Sequence, residues 1–118
     1  MILVDTSVWV AHLKYGNIGL ELILNDGYVF CHQFIVGELA CGNLRNRSEI
    51  LSLMRALPMA NMADHEEVMH FIENYNLMGK GLGYIDMHLL ASTILTKISL
   101  WSLNKKLNEV SSKLGVRY

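Results

Sequence analysis

Short runs of apolar residues that do not alternate with polar ones constrain the fold of this chain most. Two such runs stand at residues 2–4 and 28–31, and residues 99–102 form a further predicted strand around Leu100 and Trp101. A strand buried on both faces has this pattern, because both faces contact apolar side chains. Segments with helical spacing separate the runs, and strands that alternate with helices are typical of a parallel sheet. The sequence therefore predicts an α/β domain with a central parallel sheet.

The segments between the strands predict most of the remaining elements. Helices are expected over residues 8–13, 17–26, 33–44, 48–57 and 84–97, and one that carries residues 107–114 is expected near the C-terminus. A capping box, Asp64-x-x-Glu67, is expected to open one more helix. Short strands are predicted at residues 59–62 and around Val116. In sheets of this kind ligands bind beyond the carboxyl ends of the strands.

Size and composition exclude several classes of protein for this chain. The 118 residues are expected to form a single domain, 1–118, and 52% hydrophobic with 18% charged residues excludes a disordered chain. The longest uncharged run, residues 27–37, is shorter than the roughly 18 residues of a membrane span. Two cysteines and no visible signal peptide favour a cytoplasmic protein without a membrane partner. The net charge of -1 argues against a large basic surface for nucleic acid.

Three acidic residues lie where a charged side chain is costly. Asp5 ends the first apolar run, at the sheet edge where α/β proteins build their sites. Glu38 and Asp86 have mostly apolar or small residues three and four positions away, so both are expected to face the core. An unpaired charge there is expensive. Glu109, by contrast, has lysines at those positions and is expected to be solvated.

Each acid has a structural and a chemical interpretation. Structurally, Asp5 and Asp86 would cap helices, and Glu38 would pair with a buried cation. Chemically, the three would form one cluster, in which two carboxylates about 4 Å apart repel by about 4 kcal/mol at an effective dielectric near 20. Such a cluster takes up protons or holds a cation, and oxygen ligands suit Mg²⁺ or Mn²⁺. The cluster hypothesis predicts metal-dependent cleavage of a phosphodiester.

Four motifs carry a resemblance to a known family. They are Met-Ile-Leu-Val-Asp-Thr-Ser-Val-Trp at 1–9, Gly-Glu-Leu-Ala at 37–40, Gly-Tyr-Ile-Asp-x-His-Leu-Leu-Ala-Ser at 83–92, and Leu-Trp-Ser-Leu-Asn-Lys at 100–105. In this order and spacing they resemble the motifs of PIN-domain ribonucleases, and in particular the VapC toxins of type II toxin–antitoxin systems. The similarity extends over essentially the whole chain.

The resemblance implies a fold and a set of site residues. The implied fold has three layers, α/β/α, around a central parallel sheet, with an acidic pocket for Mg²⁺ or Mn²⁺. By motif position, Asp5 and Asp86 are implied as the principal metal ligands and Glu38 as the third acid. Three residues with hydroxyl groups are implied to support the ligands: Thr6, Ser7 and Ser102.

Asn104 occupies the catalytic position at which this family commonly carries a fourth acid. Its amide oxygen can ligate a hard cation but brings no charge, so we expect weaker metal affinity. A catalytically weakened PIN-like module, acting mainly through antitoxin or RNA binding, is the alternative.

A phosphatase that uses Asp5 as a nucleophile is disfavoured, because such enzymes carry a second Asp where this chain has Ser7.

The resemblance also implies partners. It implies endonucleolytic cleavage of RNA, in tRNA or ribosomal RNA, a cognate antitoxin that neutralises the toxin, a homodimer and a toxin–antitoxin hetero-oligomer. Lys105 and Lys106 are candidates for contacts with RNA phosphates. Once three acids are assigned to a metal pocket, the rest of the chain has 10 basic against 8 acidic residues. The net charge therefore does not exclude an RNA substrate.

The remaining motifs have ordinary interpretations. His65 and His70 are expected on the surface, and His88 in the core or beside the site. The glycine-rich segment 79–83 resembles a phosphate-binding loop, but no Lys-Ser/Thr pair follows it. It is expected to be a loop that leads to the helix of Asp86.

Overall fold

The computed structural model describes residues 1–118 and contains three short strands and seven helices. The strands are β1 (Ile2–Val4), β2 (Val29–Phe30) and β3 (Ser99–Trp101). The helices are α1 (Thr6–Tyr15), α2 (Ile18–Asn25), α3 (Gln33–Ala40), α4 (Arg47–Ala56), α5 (His65–Asn74), α6 (Tyr84–Thr96) and α7 (Lys105–Lys113).

The sheet is parallel and has the order β2-β1-β3. In its register Ile2 lies opposite both Val29 and Ser99, and Val4 lies opposite Trp101. Successive residues of a strand point to opposite faces, and Leu3 and Val4 are both completely buried. Helices therefore cover both faces of the sheet, and the predicted three-layer α/β/α fold is confirmed.

Two predicted strands are reduced to single bridges at the edges of the sheet. Met59 bridges Cys31 beyond β2, and Arg117 bridges Leu100 beside β3. Backbone hydrogen bonds accompany both bridges, 2.8 Å from the Cys31 N–H to the Pro58 carbonyl and 2.7 Å from the Leu100 N–H to the Val116 carbonyl. The pairing thus exists at the predicted places but extends over too few residues to form strands.

Two helix starts and one helix end show how local sequence sets the boundaries. The predicted capping box is present: the Glu67 N–H donates to Asp64 Oδ1 at 2.8 Å, and Asp64 N–H donates to Glu67 Oε1 at 3.1 Å. Helix α6 begins at Tyr84, as predicted. Helix α3 ends at Ala40 and not at residue 44, because Gly42 and Asn43 are poor helix formers.

The apolar side chains of sheet and helices form one core. Twenty-five buried hydrophobic residues make a single cluster, in which Leu3, Leu89 and Leu100 have no exposed surface. The cluster holds the strands in place, and so it also determines where the residues at their carboxyl ends lie. None of the seven helices combines the length and the apolar character needed to traverse a bilayer.

Candidate active site

The carboxyl ends of β1 and β3 bring two distant parts of the chain together. Because Val4 lies opposite Trp101, the next residues, Asp5 and Ser102, are neighbours at the same edge of the sheet. The Asp5 N–H donates to the Trp101 carbonyl at 2.9 Å and fixes this arrangement. The sheet register therefore creates the contact between the first and the fourth motif.

The carboxylate of Asp5 is held by two serine hydroxyls. Ser7 Oγ donates to Asp5 Oδ2 at 2.8 Å, and Ser102 Oγ donates to the same oxygen at 2.7 Å. Asp5 stands at the N-cap position of α1 but makes no side-chain capping bond, so its interpretation as a simple helix cap is wrong. The side chain is 7% exposed. Its Oδ1 takes no hydrogen bond from the protein and is left for another partner.

Backbone groups hold the two serines in turn. The Asn104 N–H donates to Ser102 Oγ at 2.9 Å, and the Leu103 N–H donates to Ser7 Oγ at 3.0 Å. Asn108 Nδ2 donates to the Ser102 carbonyl at 2.9 Å. The sequence interpretation missed Asn108, although its position one helical turn after Asn104 was the available signal.

Asp86 lies in the first turn of α6 and is half-buried. Its Oδ2 accepts a hydrogen bond from the Gly83 N–H at 3.1 Å, so the carboxylate does stabilise the start of the helix. Burial raises the pKa of the Asp86 carboxyl, the Gly83 N–H lowers it, and the nearby charge of Asp5 raises it again. Asp5 and Asp86 are therefore close enough to repel each other.

Glu38 reaches the same region from α3, but it does not face the core. Its side chain is exposed, which corrects the expectation from its helical neighbours. The buried residues of α3 are Ile35, Val36 and Leu39, so the core-facing stripe passes beside Glu38. Thr6 Oγ1 donates to Glu38 Oε1 at 2.8 Å. This bond connects Glu38 to the residue that follows Asp5.

Asn104 is exposed and caps α7. Its Oδ1 accepts a hydrogen bond from the Leu107 N–H at 3.1 Å. The oxygen that was expected to replace a carboxylate ligand is thus engaged with the helix backbone. The adjacent Lys105 and Lys106 are exposed in the first turn of α7.

The donor set has the chemistry of a hard-cation site. The charge of Asp5 acts on Asp86, each of the two aspartates has one oxygen free of protein hydrogen bonds, and two serine hydroxyls contact Asp5. Oxygen ligands of this kind fit Mg²⁺ or Mn²⁺. No three His, Cys, Asp or Glu side chains are gathered closely enough to hold a metal ion as they stand. A site that includes Glu38 therefore stays a prediction.

A group of rings lies behind Asp86. His88 is 4% exposed, as its expected place in the core requires, and its ring meets those of Phe34 and Tyr84 edge to face, with centroids 4.7 Å apart in each pair. Tyr84 also contacts His65, whose Nδ1 lies 2.6 Å from the tyrosine hydroxyl. His65 and His70 are exposed, as predicted. These packed rings support the helix turn that carries Asp86.

Known proteins are similar to this chain over almost its whole length. The PIN-domain family profile matches residues 2–113. The chain belongs to the PIN-domain family. Ribonuclease VapC32 of Mycobacterium tuberculosis, from the strains CDC 1551 / Oshkosh and ATCC 25618 / H37Rv, is 37% identical to this PIN domain over 117 residues. The alignment covers 98% of this chain and 94% of the relative. The predicted resemblance to VapC-type PIN domains is thereby confirmed.

Proposed function

We propose that this PIN domain is a metal-dependent endoribonuclease toxin, with RNA of the tRNA or ribosomal RNA class as its substrate. We further propose that a cognate antitoxin neutralises it in the cytoplasm, as part of a hetero-oligomer that contains a toxin homodimer. The similarity to a protein named ribonuclease supports the reaction class. The contacts at Asp5, Asp86 and Glu38 support the proposed roles of individual residues.

The buried carboxylate of Asp5 carries this proposal. Two hydroxyls hold one of its oxygens, no capping bond uses the other, and a second carboxylate lies close by. Two neighbouring carboxylates without a cation repel each other, and this repulsion raises the cost of ionising both. A cation bound by both removes that cost. The arrangement is thus better explained by a bound ion than by stability.

Asp5 and Asp86 would hold the Mg²⁺ or Mn²⁺ ion, with Glu38 as the third acid. When bound, such an ion lowers the pKa of a water molecule and stabilises the charge that develops on phosphate oxygens. The two serines hold the Asp5 carboxylate in one orientation. Thr6 orients Glu38 toward the same edge of the sheet.

An apolar groove between α1, α2 and α4 supports the antitoxin part of the proposal. Its volume is about 320 Å³, and seven of its eight lining residues are hydrophobic. The lining residues are Trp9, His12, Leu13, Leu24, Ile50, Leu53, Met54 and Leu57. Leu53 is 60% exposed, which is costly for an apolar side chain in a groove that stays empty. A protein partner would cover it.

Cleavage of RNA by purified variants tests the reaction. Wild-type protein, incubated with tRNA and ribosomal RNA fragments, should cleave with added Mg²⁺ or Mn²⁺ and stop cleaving with EDTA. Asp5→Asn and Asp86→Asn should each lower the rate by a factor of at least about 100, because each removes a metal ligand. Their free energies of unfolding should stay equal or rise slightly, since each removes like-charge repulsion.

Asp26→Asn is the matched control, because Asp26 is an exposed aspartate at the end of α2. It should cleave RNA at the wild-type rate. Cleavage by Asp5→Asn at the wild-type rate would overturn the site assignment. For the toxin part, the chain should arrest growth when expressed alone, and co-expression of its cognate antitoxin should restore growth.

A further inference from the structure

A cleft lined by lysines lies beside the candidate active site. It has a volume of about 210 Å³ and runs between α7 and the turn that follows α5. Three lysines and one glutamate provide its charged groups, so the cleft is basic in a protein of net charge -1. Its lining residues are Tyr75, Asn76, Leu77, Lys80, Lys106, Glu109, Val110, Lys113 and Leu114.

Lys106 connects this cleft to the site. It lies two residues after Asn104, and its side chain runs across Gly81. A Cβ at position 81 would lie 2.7 Å from Lys106 Nζ, and the φ of +77° at Gly81 also disfavours any other residue. Gly81 in turn belongs to the segment that leads to Asp86. The cleft and the acidic site thus share the start of α7 and the 79–83 segment.

The lysines are spaced for an extended anion. Lys106 and Lys113 lie seven residues apart on α7, which corresponds to about 10 Å along a helix axis. Lys80 approaches from the opposite wall. Successive phosphates of a polynucleotide can contact charges that are spaced along a helix in this way. Glu109 lies between them and limits the mutual repulsion of the lysines.

Tyr75 offers a ring at the mouth of the cleft. The ring contacts that of Phe71 at a tilt of 53°, with centroids 5.1 Å apart, and the residue is 50% exposed. A half-exposed tyrosine that is held by a neighbouring ring can stack on an unstacked base. Lysine and aromatic side chains together are typical of surfaces that bind single-stranded nucleic acid.

We propose that this lysine cleft binds the single-stranded RNA backbone next to the scissile bond. Lys80, Lys106 and Lys113 contact phosphates, and Tyr75 stacks on a base. Without a bound cation the acidic site repels RNA, so under that condition the RNA is held by a separate, basic surface. The inference rests on the proposed ribonuclease function, but its test measures binding without cleavage.

The test is the affinity for a short, fluorescently labelled single-stranded RNA, measured by anisotropy in EDTA over a range of salt concentrations. Lys80→Ala and Lys113→Ala should each weaken binding about three- to tenfold. Each should also reduce the slope of log affinity against log salt by about 0.7, as expected for one lost contact with a single strand. Tyr75→Ala should weaken binding and leave the slope unchanged, since stacking releases no counterion.

Lys14→Ala and Lys97→Ala are the controls, because both lysines are exposed and neither lines the cleft. They should bind RNA as the wild type does. If the Lys80→Ala/Lys113→Ala double variant binds like the controls, the cleft is not an RNA surface.

A cleavage assay separates this inference from the proposed function. The cleft variants should raise KM and leave kcat near the wild-type value, because the lysines bind the substrate away from the reacting phosphate. If the double variant cleaves RNA with the wild-type KM, the proposed RNA-binding role of the cleft is wrong and the ribonuclease function stands. Weaker RNA binding by the cleft variants, without cleavage by any variant, would instead overturn the ribonuclease and leave the cleft as an RNA surface.

Discussion

Asp5 occupies a helix N-cap position, yet its carboxylate bonds to two serine hydroxyls and to no backbone N–H of α1. Ser7 and Ser102 therefore hold the Asp5 carboxylate in one orientation. Each hydroxyl has a backbone N–H as its own donor, so neither is free to rotate away.

Removal of one of these hydroxyls should affect stability and activity together. Ser102→Ala leaves the Asn104 N–H without its acceptor and Asp5 with one donor, so the free energy of unfolding should fall by about 1–3 kcal/mol. The cleavage rate should fall about tenfold or more. Urea unfolding and single-turnover cleavage measure the two effects.

Ser52→Ala provides the comparison, because Ser52 is an exposed serine in the middle of α4. Its stability should be unchanged or slightly higher, since Ala is the better helix former. Equal behaviour of Ser102→Ala and Ser52→Ala would show that the hydroxyl at 102 does not support Asp5.

At the scale of elements, α7 depends on the side chain of Asn104. The amide oxygen accepts from the Leu107 N–H, and the carbonyl accepts from the Asn108 N–H at 2.9 Å. The helix then presents Leu107 and Val110 to the core and Lys106 and Lys113 to the cleft. The cap thus positions both the serine that holds Asp5 and the lysines beside the site.

Substitutions at Asn104 should separate the capping role from a role in metal binding. Asn104→Ala should lower the free energy of unfolding by about 1 kcal/mol, whereas Asn104→Asp should keep or slightly raise it, because aspartate caps well and complements the helix dipole. Asn104→Asp should also reduce the Mg²⁺ concentration needed for half-maximal cleavage. Thermal unfolding and metal titration measure the two properties.

An unchanged metal requirement in Asn104→Asp would show that position 104 serves only the helix. Loss of stability in this variant, to the level of Asn104→Ala, would contradict the capping argument.

The sequence predicted these elements unequally well, for physical reasons. The pattern of apolar residues and the helix-capping residues predicted β1, the capping box of α5 and the start of α6, because each of these depends on residues that are close in the chain. The position of Glu38 was predicted wrongly, since the stripe of α3 that faces the core is chosen by packing against other elements. The contact of Asp5 with Ser102 depends on sheet register, and only the resemblance between motifs indicated it in advance.

At the scale of the whole molecule, a buried histidine connects the sheet to two helices. His32 follows β2 and is 1% exposed, and its Nδ1 accepts from the Phe34 N–H at 3.0 Å at the start of α3. Its Nε2 lies 3.0 Å from Ser92 Oγ on α6. Burial and, to a smaller extent, the nearby His88 lower the pKa of the His32 imidazole from 6.5 to about 4. The packed core therefore requires a neutral ring.

This requirement makes stability depend on pH. Between pH 6.5 and 4 the unfolded chain binds a proton at His32 and the folded chain does not, so acid favours unfolding in that window. From pH 7.5 to pH 5 the free energy of unfolding should fall by roughly 2 kcal/mol through this residue alone, at about 1.4 kcal/mol per pKa unit. Urea unfolding at both pH values measures the change.

His32→Asn isolates the contribution of the ring, because asparagine can still cap α3 but does not titrate. This variant should be less stable than the wild type at pH 7.5, since the bond to Ser92 is lost. It should also lose less stability on going to pH 5.

His70→Asn is the control, because His70 is at an exposed position of α5. Its free energy of unfolding should depend on pH as that of the wild type does. If the free energy of unfolding falls equally for His32→Asn and the wild type between pH 7.5 and pH 5, acid acts on another part of the molecule. The ring group behind Asp86 would be the next to test, because burial and the neighbouring His65 lower the pKa of His88 as well.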